Sequence, residues 1–160
     1  MNVTICHSPL GPIELGVRDG RLARVELLAS NGRPTGAPAA WARPFVEALG
    51  RYLAGADAGL AWEAMDTSGC TPFQQRVLRE LTAVPFGKLV TYGELAGRVG
   101  LPRGARAVGG AVGSNPFPIF IPCHRVVAAK GGLGGFSAGL GWKARLLTHE
   151  GWSVREGRVQ

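Results

Sequence analysis

The sequence predicts an α+β protein in two parts: an amino-terminal α/β part carrying an antiparallel sheet, then a mainly helical carboxy-terminal part. Three observations predict it. Ile13, Leu15 and Val17 alternate between turn-rich stretches, the period of a half-buried strand. Two stretches, Thr71-Pro72-Phe73-Gln74 and Thr91-Tyr92-Gly93-Glu94, have the spacing of helix starts. The charge also divides the chain. Met1 to Met65 holds six Arg against six Asp/Glu, whereas Asp66 to Gln160 holds twelve Lys/Arg against five Asp/Glu. The whole net charge of +7 therefore lies in the second part. Such a basic half suggests a polyanion such as DNA or RNA as partner.

The length of 160 residues suits one medium domain or two small ones. No apolar run is long enough to span a bilayer and no secretory signal opens the chain, so the sequence reads as a soluble intracellular protein. Cys6, Cys70 and Cys123 are far apart, odd in number and outside any CxxC pair. That fits a reducing compartment and supplies no zinc-ligand spacing.

Strands are expected over Val3 to His7, Pro12 to Val17 and Leu22 to Leu28, with Arg18-Asp19-Gly20-Arg21 as a hairpin turn. Ser30 to Ala39, with two glycines and two prolines, reads as a loop. Trp41, Phe45, Leu49 and Leu53 recur every four residues, as one buried helix face would, and Gly55 ends that helix. A short strand from Leu60 to Ala64 would rejoin the sheet. The resulting domains are 1–66, a scaffold, and 71–155, which carries the chemistry, followed by a tail at 156–160.

In the second domain Phe73, Val77, Leu78 and Leu81 form the buried face of the first helix. The capping box at Thr91 and Glu94 opens a helix through about Val99, and Gly100-Leu101-Pro102 breaks it. A third helix from about Arg103 to Val112 completes a helix-turn-helix. Its core face is Ala105, Val108 and Val112; the opposite stripe is Arg106, Gly109, Gly110 and Gly113. Two interior glycines cost roughly 2 kcal/mol relative to alanine. Either the bare stripe admits a DNA backbone in the minor groove, or it lets the helix pack closely on the sheet. Arg106 alone cannot read the major groove, so little sequence preference is expected.

Asn115-Pro116 turns the chain into Ile121-Pro122-Cys123-His124-Arg125-Val126. A thiol is nucleophilic as thiolate and needs a base or a positive charge nearby; His124 and Arg125 are at hand. On an extended segment Cys123 and His124 would face opposite ways, so a bridging water or a bend at Pro122 is required. The alternative is a buried structural cysteine in a core strand. Gly131 to Gly139 resembles a phosphate loop only in glycine content and reads as a mobile pocket wall. The last helix, Trp142 to Glu150, puts Leu146, Leu147 and Glu150 on one face. Glu150 then either pairs with His124 or meets solvent or Arg145.

Pro122-Cys123-His124-Arg125-Val126 resembles the signature of the O6-alkylguanine-DNA alkyltransferases. Phe73-Gln74-Gln75, Thr91 to Ala96, Ala105 to Gly110, Asn115-Pro116 and His149-Glu150-Gly151 sit in that family's order and spacing. The similarity is strong from about Thr71 to Gly151. It implies a ribonuclease H-like amino-terminal domain and a winged-helix-like carboxy-terminal one. Cys123 would accept the alkyl group of O6-alkylguanine in duplex DNA, irreversibly and once per protein, with O4-alkylthymine left open as a second substrate. His124 would take the thiol proton through a water, oriented by Glu150. Tyr92 would donate a proton to the guanine ring, and Asn115 would tie the recognition helix to the site. Arg106 would fill the space of the flipped base, with Ala105, Ala107, Gly109 and Gly110 against the DNA. The carbonyls of Cys123 and Val126 would meet the guanine amino group, Ser137 its O6, and Phe136 the base.

No metal or cofactor is expected, since Cys6 and His7 lack a second Cys/His pair nearby. The implied protein is a cytoplasmic monomer, or nuclear in a eukaryote. Three other readings compete. A non-catalytic damage binder would carry another residue in place of Cys123. A helix-turn-helix regulator would need a base-reading face. A cysteine hydrolase would leave Arg106 and the basic half unexplained.

Overall fold

The computed structural model describes residues 1–29 and 36–160; residues 30–35, in the expected Ser30 to Ala39 loop, lie outside the described residues. The chain divides into two compact units: Met1–Gly69 with Pro116–Phe120, and Cys70–Asn115 with Ile121–Gln160.

In the first unit, β1 (Asn2–Ser8), β2 (Gly11–Arg18) and β3 (Arg21–Leu27) form an antiparallel sheet in that order. The β2–β3 turn places Asp19 at φ 51° and Gly20 at φ 74°, left-handed values that suit the twist of a tight hairpin. Helix α1 (Arg43–Leu53) follows a short 3-10 turn and buries Phe45, Ala48, Leu49 and Tyr52. The expected stripe was therefore rotated. Trp41 lies before the helix proper and is 38% exposed, while Tyr52 is fully buried. The expected strand at Leu60 to Ala64 is absent: Trp62–Ala64 is a 3-10 turn, and only Met65 bridges to Leu22. The strap Pro116–Phe120 completes this unit, the Val25 N–H donating to the Pro116 carbonyl at 2.9 Å. Ile119 sits at φ 74°, a conformation costing a β-branched residue about 1–3 kcal/mol, and is held there with Phe117 in the core.

In the second unit, α2 (Pro72–Thr82), α3 (Tyr92–Arg98) and α4 (Ala105–Gly113) pack on one another. Thr71 caps α2 by accepting from the Gln74 N–H, and Thr91 and Glu94 cap α3 reciprocally. Gln74 fastens α2 to the end of α4 by donating to the Ser114 carbonyl at 3.1 Å. On α4 the buried residues are Val108, Ala111 and Val112, so Ala111 takes the core place expected for Ala105. The two-residue strands β4 (Val90–Thr91) and β5 (Val126–Val127) pair in parallel. Helix α5 (Leu140–His149) buries Trp142, Lys143, Leu146 and Leu147, and the hairpin β6 (Val154–Arg155)–β7 (Arg158–Val159) closes the chain.

Because Thr91 satisfies an otherwise orphaned α3 N–H, Thr91→Ala should cost about 1 kcal/mol. Urea denaturation checks this through a lower midpoint with an unchanged slope; an unchanged midpoint would remove the cap from the account of the fold.

Candidate active site

Cys123, His124 and Arg125 form a 3-10 turn, and extended backbone begins only at Val126. The extended segment expected through Cys123 and His124 is thus replaced by a bend after Pro122, closed by the Arg125 N–H on the Pro122 carbonyl at 3.0 Å. All three side chains are buried. Asn115 braces the turn: its Nδ2 donates to the Ile121 carbonyl at 3.0 Å, and its side chain hydrogen-bonds the Cys123 thiol.

Behind the turn, the C-terminus of α5 delivers Glu150, whose side chain is shut off from solvent. Its Oε2 pairs with His124 Nε2. Its Oε1 accepts from Arg125 Nε at 2.8 Å and from the Gly87 N–H at 2.8 Å. Of the two partners left open for Glu150, the structure takes His124. Arg125 turns out to serve this carboxylate, and its other end donates to the Val84 carbonyl at 2.7 Å.

The ionisation of the cluster follows from burial and these contacts. Burial pushes the Cys123 thiol up, against the Asn115 hydrogen bond, the Lys143 charge and two backbone N–H groups. Burial pushes the His124 imidazole down, outweighing the Glu150 carboxylate that favours its charged form. The resting pair is therefore thiol and neutral imidazole. Burial would raise Glu150, yet the hydrogen bonds from His124, Arg125 and the Gly87 N–H hold it at about 2.

Lys143, one turn before Leu146 and Leu147 on the same face of α5, is a group the sequence reading passed over. Its Nζ donates to the Val126 carbonyl at 2.6 Å and to the Leu133 carbonyl. Burial lowers its pKa to about 8, although the Cys123 thiolate would favour its charged form. The i, i+3, i+4 spacing to Leu146 and Leu147 was the available signal.

A cleft of about 670 Å³ opens beside Tyr92 and Arg106. Tyr92, Ala105, Arg106 and Gly109 line one side, Gly135, Phe136 and Ser137 the other. Cys123, His124 and Glu150 lie outside this lining. The Tyr92 hydroxyl is pushed up by burial and then by the Cys123 charge, which places the phenol within electrostatic reach of the thiol. Gly134 makes room for that phenol. A Cβ on Gly134 would come within 2.8 Å of its hydroxyl, and one on Gly109 would touch its ring at 3.8 Å. Gly109 lies against the Tyr92 ring with room for a side-chain Cβ, while Gly110 and Gly113 face open space beside the exposed Arg106 and Ala107. The carbonyls of Val126 and Cys123 already accept from Lys143 Nζ and the Val126 N–H, leaving one lone pair each.

A carboxyl held at about 2 in the fold, against 4.5 ordinarily, adds stability that is complete above 4.5 and is lost as pH falls towards 2. Urea unfolding between pH 7 and pH 2.5 should show this loss, and Glu150→Gln should flatten it. The same variant strands the buried Arg125 charge and should cost about 3–5 kcal/mol at pH 7. Parallel pH curves for the two proteins would refute the assignment.

A family model described as 6-O-methylguanine DNA methyltransferase, DNA binding domain, matches residues 72–152. A methylated-DNA–protein-cysteine methyltransferase of Mycolicibacterium paratuberculosis is 41% identical over 148 residues, covering 89% of this chain and 88% of its own. A crystal structure of Mycobacterium tuberculosis OGT in complex with DNA superposes with a TM-score of 0.77 at 35% identity, covering 92% of each chain. The O6-methylguanine-DNA methyltransferase of the archaeon Pyrococcus kodakaraensis follows with a TM-score of 0.71 at 27% identity, covering 93% of this chain and 98% of its own. With its cysteine and carboxylate cluster and these relatives, the chain belongs to the 6-O-methylguanine DNA methyltransferase family.

Proposed function

We propose that the protein repairs DNA by direct reversal, moving the alkyl group of O6-alkylguanine in duplex DNA onto Cys123, once per molecule. The reading rests on one observation: a buried thiol next to a paired imidazole and carboxylate, within electrostatic reach of Tyr92, which lines a cleft with Arg106 and several glycines. The relatives named for methylated DNA, one of them solved on DNA, support it.

In this reading the Cys123 thiol proton passes through a water to His124 Nδ1 as sulfur attacks the alkyl carbon in line. The S–C bond forms while the C–O6 bond breaks, and its electron pair goes to the guanine ring. Tyr92 gives the ring a proton and regains one from His124. The ammonium of Lys143 stabilises the thiolate as it develops, which matters in a site that otherwise disfavours it. A thioether has no good leaving group, so no step regenerates the thiol.

Delivery of the lesion is assigned to base flipping, with Arg106 filling the vacated space and Gly110 and Gly113 against the minor groove. Asn115 couples α4 to the thiol. Phe136 and Ser137 contact the base, Ser137 at O6, and the second lone pairs of the Val126 and Cys123 carbonyls meet the guanine amino group. Ala105 and Ala107 border the DNA. The same reading takes 1–66 as a ribonuclease H-like scaffold, 71–155 as a winged-helix-like repair domain with its helix-turn-helix, and the protein as a cytoplasmic monomer without cofactor. O4-alkylthymine is a further candidate substrate.

Two variants test it. Cys123→Ala should abolish transfer of labelled methyl from duplex to protein while leaving duplex affinity within about twofold, since α3 and α4 are untouched. Transfer by this variant would assign the acceptor to another residue. Arg106→Ala should slow repair in duplex by about 10- to 100-fold, the flipping cost, but leave reaction with the free base unchanged. Equal losses on both substrates would end the role given to Arg106.

A further inference from the structure

The buried guanidinium of Arg125 has no place in the transfer chemistry, yet it is one of the largest fully enclosed side chains in the protein. Its Nε and the Gly87 N–H both donate to Glu150 Oε1, and Glu150 Oε2 meets His124 Nε2. Its other end is pinned to the Val84 carbonyl beyond the end of α2. We infer that Arg125 is a positioning residue: by holding Glu150 as a carboxylate it fixes the tautomer of His124, with the proton on Nε2 and the lone pair on Nδ1. The inference deepens the proposed reaction and rests on it for its consequence.

The proton count fixes the tautomer. A carboxylate accepts from His124, so the imidazole must carry its proton on Nε2 and offer Nδ1 as base. A buried carboxylate without a counter-charge is costly and takes up a proton instead. The protonated carboxyl would then donate to Nε2, and the imidazole proton would sit on Nδ1. That arrangement holds one proton more and has no lone pair for the Cys123 proton. With Arg125 in place the trio of Arg125, Glu150 and neutral His124 carries no net charge, and the base stays vacant at neutral pH.

The groups that bear on this pair from the surrounding elements are Arg125 and Cys123 in the turn, Lys143 on α5 and, through Cys123, Tyr92 on α3. Lys143 titrates near 8 and so bends the rate profile of the native protein as well. The comparison between native protein and variant isolates Arg125.

Imidazole nitrogen NMR on the native protein labelled in histidine should find His124 protonated at Nε2 and bare at Nδ1 at pH 7. In Arg125→Met the proton should appear on Nδ1. Single-turnover methyl transfer by that variant should fall about 100-fold at pH 7, the worth of a positioned base, and recover as pH rises. Arg125→Lys should restore most of the rate, and duplex affinity should stay level in all three. Native His124 protonated at Nδ1 overturns the inference whatever the variants do. So does Arg125→Met with native tautomer and native rate. Should Arg125→Met fail to fold, the native tautomer and the Arg125→Lys profile still decide. Absence of transfer in the native protein would sink the proposed function, while the tautomer would still answer for Arg125.

Discussion

Burying the Glu150 carboxylate constrains the second unit more than any other feature. A charge in an apolar interior persists only where its lone pairs are filled and its charge is matched. Here three donors meet it: the Gly87 N–H from its loop, and Arg125 and His124 from the turn after Pro122. The C-terminus of α5, the loop after α2 and the Cys123 turn are thereby fixed to one point. That point orients His124, and His124 faces the thiol problem.

The thiol problem is that burial works against reactivity. Cys123 is protected from solvent and pushed towards its neutral form, with only Asn115, Lys143 and backbone N–H groups opposing. Such burial suits the proposed reaction, in which the thiol is used once. Lys143 has a cost in the same terms, since burial favours its neutral form while its Nζ donates to two carbonyls. In front, the glycines divide their service. Gly134 admits the Tyr92 ring, and Gly110 and Gly113 leave the outer surface bare.

Local chemistry was legible in the sequence. Thr71 with Pro72 and Gln74, and Thr91 with Glu94, announce α2 and α3 because a cap is made by residues three apart. The three strands and the Asp19-Gly20 turn were equally plain. What failed depended on tertiary context. Leu60 to Ala64 is too short an apolar run to distinguish strand from turn, and it became a 3-10 turn. Trp41 and Tyr52 exchanged places because α1 begins two residues later than its apolar stripe suggested. Of the site, the pairing of Glu150 with His124 could be posed as a choice but not decided. Arg125 and Lys143 were missed in their actual contacts, since buried cations are rare enough that exposure is the natural expectation.

Intact-protein mass spectrometry tests the central claim most directly, after the protein is mixed with excess duplex DNA bearing one O6-methylguanine. The account predicts a gain of one methyl group per molecule, located by peptide mapping on Cys123, with no further gain when fresh duplex is added. A protein that binds the lesion and keeps its mass, or one that turns over many duplexes without modification, would contradict it.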